Sequence, residues 1–115
     1  MGRASLLAAG IATAAFAVIS TSASATDFSC YETTNAAERT ICSDARLGKL
    51  DDRMATVYGK LWSVSGFRSR LALRDEQHRF LGARNNCGRD ARCIRDAYLD
   101  QISVLDSKLS ATREN

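Results

Sequence analysis

The sequence predicts an all-α fold, a small three- to four-helix bundle stapled by two disulfides. Three observations lead there. Apolar residues recur at spacings of three and four, with no sustained alternation. The chain contains no proline and few β-branched runs, which suits helices better than a many-turned sandwich. Four cysteines, Cys30, Cys42, Cys87 and Cys93, sit at short local spacings in a chain of only 115 residues. That length allows one domain. The 45% apolar share is that of a globular chain rather than a disordered one.

Residues 1–25 read as a secretory signal peptide. Arg3 gives a positive start, Ala4 to Ser20 carries no charge, and Ala23-Ser24-Ala25 is an A-x-A cleavage signal. The apolar run is short and rich in Ala, Gly and Thr, which argues against a membrane span. The mature domain is then 26–115, with a periplasmic or secreted location and no membrane anchor after cleavage. Loss of Arg3 leaves 15 basic and 13 acidic residues, a net charge of +2. So mild a charge falls short of a nucleic-acid binder, and no nucleic-acid partner is expected.

An exported domain this small has a modest core, and an even cysteine count reads as a disulfide framework. Three pairings exist on paper. The short spacings favour Cys30–Cys42 and Cys87–Cys93. Six residues along an unbroken helix span about 9 Å, beyond the roughly 4.4–6.8 Å that a disulfide bridges. Residues 88–92 must therefore include a turn, with Gly88 as its flexible point.

The first helix is capped by Asn35, with Glu38 three residues on as a weak capping box, and runs to about Cys42. Asp44 caps the second. There Leu47, Leu50, Met54, Val57, Tyr58 and Leu61 form an amphipathic stripe, and Gly66 is its expected end. The third begins near Arg68 or Ser69, with Leu73, Gln77, Phe80, Leu81 and Arg84 near one face. Asn85, Asn86 and Gly88 close it. The fourth follows Asp90, with Ile94, Tyr98, Ile102, Leu105 and Leu109 as its stripe.

Candidate chemistry is sparse. Neither cysteine pair is C-x-x-C, so a thioredoxin-type site has no support. Cys87, Cys93 and His78 fit no common zinc spacing, and no metal or cofactor is expected. His78 has no nucleophile to serve. Asp51 and Asp52 are adjacent on a helix and point about 100° apart, so they do not form an acid–base pair. No catalytic residue is assigned, and the chain is not expected to be an enzyme. Asp51 and Arg84 each border an apolar stripe, where an unpaired charge is costly. They are expected to meet between the second and third helices, with Gln77 completing the hydrogen bonds. Arg84, Arg89, Arg92 and Arg95 cluster around the second cysteine pair. Arg68, Arg70, Arg74 and Arg79 make the third helix basic. Both groups read as solvated surface or as contact with an anionic envelope polymer.

Two strings carry a family resemblance. The first is Phe28-x-Cys30, then Glu38-x-x-Ile41-Cys42-x-Asp44-x-x-Leu47-x-x-Leu50-Asp51, then Tyr58. The second is Gln77-x-x-Phe80-Leu81-x-x-Arg84-x-x-Cys87, then Cys93-x-x-x-x-Tyr98 and Leu105. Together, over residues 28–105, the chain resembles the LprI-type lysozyme-inhibitor family of small exported helical domains. The resemblance implies binding of lysozyme or a related glycosidase. It brings no inhibitory residues, and Asp51, Gln77, Arg84 and the cysteines match as architecture. The chain departs from the family at Phe80, where Trp is usual, and in lacking a lipid-acceptor cysteine. The alternative is an envelope binding or structural module with no lysozyme inhibition. Animal-type lysozymes are basic, so an inhibitor would need a local acidic patch such as Asp96 and Asp100, one turn apart on the fourth helix.

Overall fold

The structure, a computed structural model, describes Gly2 and residues 8–15, 28–33 and 35–114. The charged start and the Ala23-Ser24-Ala25 site of the expected leader lie outside the described residues. Among the described residues no helix is long and apolar enough to cross a membrane. Four helices and no strand are present: α1 (Ala36–Ser43), α2 (Ala45–Val64), α3 (Phe67–Asn86) and α4 (Ala91–Glu114).

Local chemistry sets each boundary. Asn35 starts α1 by accepting the Glu38 N–H at 2.8 Å. Only Asp44 separates α1 from α2. Its extended backbone (φ −123°, ψ 107°) breaks the helix, its N–H closes α1 onto Ile41, and its carboxylate caps α2 at Arg46 and Leu47. The α2–α3 turn comes one residue earlier than expected, and α3 starts at Phe67 rather than near Arg68 or Ser69. Ser65, not Gly66, follows the end of α2, and Gly66 opens α3 in an ordinary extended conformation. Arg70 ties the start of α3 back to the last turn of α2. Its Nε donates to the Trp62 carbonyl at 3.0 Å and its guanidinium lies 5.1 Å from the Trp62 ring centroid.

The α3–α4 junction uses Gly88 at φ +59°, the one left-handed residue among those described. Asp90 then accepts the Cys93 N–H at 3.1 Å and starts α4. The turn brings the Cα atoms of Cys87 and Cys93 to 5.5 Å, and Cys30 and Cys42 stand 5.8 Å apart. Both expected disulfides are present, and no described cysteine is free.

The longest helix, α4, is the hub. It packs on α2, α3 and α1, while α1 also closes over α2 and α3. The core draws Ile41 from α1, Leu47, Met54, Val57 and Leu61 from α2, Leu73 and Phe80 from α3, and Ile94, Tyr98, Ile102 and Leu105 from α4. The Phe80 ring meets Tyr98 edge to face at 5.2 Å and holds an aromatic place in the core.

Two alanine substitutions should move stability in opposite directions. At Gly88 a Cβ would meet nothing, but the left-handed backbone is disfavoured, so Gly88→Ala should cost about 1–2 kcal/mol. Gly82 lies exposed within α3, where a Cβ is also unobstructed, so Gly82→Ala should stabilise by about 0.5–1 kcal/mol. Urea unfolding of the oxidised proteins measures both.

Candidate functional site

The densest chemistry in the described chain is buried where α1, α2, α3 and α4 converge. Arg84 is 1% exposed, and Asp51 and Tyr98 are 0% exposed. Arg84 Nη1 donates to the Tyr98 hydroxyl at 3.2 Å, and that hydroxyl donates to Asp51 Oδ1 at 2.7 Å. Arg84 Nη2 pairs with Glu38 Oε1 at 3.3 Å. Nε and Nη2 also reach Asn85 Oδ1, at 3.1 and 2.9 Å. The Phe28 ring covers the guanidinium, 5.1 Å from its central carbon. Cys30–Cys42 ties the segment carrying Phe28 to the end of α1.

This arrangement refines the expected Asp51–Arg84 meeting. The two are bridged by Tyr98 from α4, which packs against both α2 and α3. Gln77 does not complete their hydrogen bonds, a correction to the sequence expectation. Its amide donates to Met54 Sδ at 3.1 Å and accepts from Gln101 Nε2 at 3.3 Å. It lies two turns before Arg84 on α3, which places it in a separate buried polar layer. Glu38 does not complete the capping box either, because its carboxylate is turned to Arg84.

The network is sealed, so its chemistry is that of a buried charge system. Burial, then the charge and hydrogen bond of Asp51, push the Tyr98 hydroxyl far above the usual tyrosine range, and Arg84 opposes them. The hydroxyl is therefore a fixed proton donor to Asp51. Among the described residues no group of three or more His, Cys, Asp and Glu side chains is placed to hold a metal ion.

The expected surface residues lie elsewhere. Of the expected basic cluster, Arg84 is buried in the network and does not belong to the surface, while Arg89, Arg92 and Arg95 are exposed around the Cys87–Cys93 junction, and Asp96 and Asp100 are exposed along α4. The two groups interleave, since Arg95 donates to Asp96 Oδ1 at 3.1 and 3.2 Å. Asp100 also edges an open groove between α3 and α4 with Arg79, Phe80 and Val104. His78 is exposed.

Sequence reasoning missed Gln101. It sits at spacings of three and four between Tyr98 and Leu105, so it belongs to the buried stripe. A search for apolar residues alone passes over it. No protein-family model, characterised protein or solved structure matches this chain.

Removing one member of the network should be expensive. Arg84→Met strands buried carboxylates and should cost about 3–5 kcal/mol by urea unfolding. Tyr98→Phe removes one hydroxyl and should cost about 1–3 kcal/mol at neutral pH. Tyr98 keeps its proton in the folded state, while in the unfolded state it loses it near pH 10.0. Above that pH the folded state holds more protons, so this contribution is full below pH 10.0 and declines above it. The stability gap between wild type and Tyr98→Phe should narrow in alkali.

Proposed function

We propose that this protein is an exported, non-catalytic binding module of the lysozyme-inhibitor type, located in the periplasm or secreted. The observation that supports the reading is the convergence of the residues that carry the LprI resemblance. Phe28, Glu38, Asp51, Arg84 and Tyr98 lie far apart in the chain and meet in one sealed network. Spaced motif residues that form a single interior explain the pattern as architecture. Contact with a target therefore falls to surface residues. The two disulfides suit an oxidising compartment.

A lysozyme-like glycosidase is the partner that the family resemblance implies. On this fold the acidic contact is Asp100 at the α3–α4 groove, with Asp96 one turn away and shared with Arg95. Steering of a basic enzyme is weak from a mature chain of net charge +2, so inhibition is modest and depends on the target. A second reading, an anionic envelope polymer, is favoured by the exposed Arg89, Arg92 and Arg95 around the Cys87–Cys93 junction.

A lysozyme lysis assay with the oxidised protein tests the first reading. Inhibition should appear, and Asp96→Asn with Asp100→Asn should slow association mainly at low salt. Lysozyme activity untouched at large molar excess across several lysozyme types removes this reading. The envelope-polymer reading then leads, and Arg89→Gln, Arg92→Gln and Arg95→Gln together should weaken retention on isolated envelope polymers.

A further inference from the structure

The far end of the bundle, away from the disulfides, is apolar and cationic. From Arg53 to Arg74 the chain contains no acidic residue. This stretch runs up α2, through Ser65-Gly66, and into α3. At its turn Phe67 is 79% exposed, Val64 59% and Leu71 43%. Exposed aromatic and aliphatic side chains gathered at one point mark a contact surface more often than scattered ones do.

Within this stretch the charges are of one sign. Arg53 is taken by Asp106 on α4 at 3.5 Å. Lys60, Arg68, Arg70 and Arg74 make no ion pair among the described residues. Phe67, Leu71 and Arg74 fall at i, i+4 and i+7 on α3, so apolar and cationic groups share a face. Arg70 lies over the half-buried Trp62 and places a cation and an indole at the level of the turn.

From this juxtaposition we infer that the α2–α3 turn docks on an anionic phospholipid surface, with Val64, Phe67 and Leu71 entering the headgroup–acyl boundary and Lys60, Arg68 and Arg74 meeting lipid phosphates. Charge complementarity fixes the sign of the partner. The chemistry favours a lipid surface over an acidic protein, because exposed apolar side chains stand beside the cations. Aromatic and Lys/Arg side chains at one depth match the interfacial layer of a bilayer. Such contact is peripheral and reversible. It does not depend on the lysozyme-inhibitor reading, since the Asp100 groove and the α2–α3 turn use different residues.

Vesicle co-sedimentation of the oxidised protein, recovered from the compartment to which its cells export it, tests this. Vesicles are pure phosphatidylcholine or an equal mixture with phosphatidylglycerol. Wild type should sediment with the mixed vesicles and much less with the neutral ones, and added salt should release it. The double variant Val64→Ser with Phe67→Ser should bind mixed vesicles at least about tenfold more weakly. Arg68→Gln with Arg74→Gln should lose about fivefold per charge. All these positions are exposed, and helical circular dichroism confirms folding. Equal binding by wild type and both variants overturns the proposal, as does binding that ignores lipid charge. Retention on polyglutamate without vesicle binding also overturns it and assigns the turn to an acidic protein segment. Lysozyme inhibition measured without lipid should be the same in all these variants.

Discussion

A guanidinium with almost no access to water is the constraint around which this molecule is organised. Arg84 forfeits its hydration on folding, a penalty of several kcal/mol that only well-placed partners offset. Those partners come from every helix: Glu38 from α1, Asp51 through Tyr98 from α2 and α4, and Asn85 from α3 itself. Each helix must therefore reach its final position before the charge is satisfied. A greasy interior of Leu and Ile tolerates slippage. A buried charge with directional partners does not, and a hypothesis of this kind of specificity suits a core that is only one layer deep.

The remaining architecture can be understood as support for that centre. Asp44 ends one helix and begins the next, so α1 leaves α2 at an angle set by a single residue. That angle turns Glu38 inward. The Cys30–Cys42 bridge holds the preceding segment close enough for Phe28 to cover the guanidinium. On the other side, the left-handed Gly88 returns the chain so that Tyr98, two turns into α4, stands beside Arg84 at the end of α3. Local turn chemistry and long-range charge satisfaction thus point to one arrangement, as expected for a sequence with few competing folds.

Much of this was legible from residue spacing. The caps Asn35 and Asp44, the turn at Gly88 and both cysteine pairs follow from short-range rules, and such rules act within a few residues. Asp51 and Arg84 stood out because charges beside apolar stripes need partners. What spacing could not supply was the partner's identity. Tyr98 reads as one more stripe residue, and nothing local indicates that its hydroxyl stands between two charges from other helices. Glu38 reads as a cap for the same reason. Gln77 was singled out as buried but given the wrong neighbours, since rotation and depth along a helix pair are set by tertiary packing. The surface contacts were the least legible part, because exposed Arg and Asp side chains obey no periodicity.

Both disulfides close short loops, spanning 12 and 6 residues. Neither joins α2 to the α3–α4 pair, so the covalent links fasten one end of the bundle and leave its assembly to non-covalent forces. This division matters while the chain is still being oxidised. Closing a loop of 12 residues is favoured over the 45 residues between Cys42 and Cys87 by roughly sevenfold on chain statistics. The native partners are thus the nearest ones even in the disordered chain. Oxidation can run ahead of folding with little reshuffling, and the helices then assemble from a chain already carrying its correct bonds.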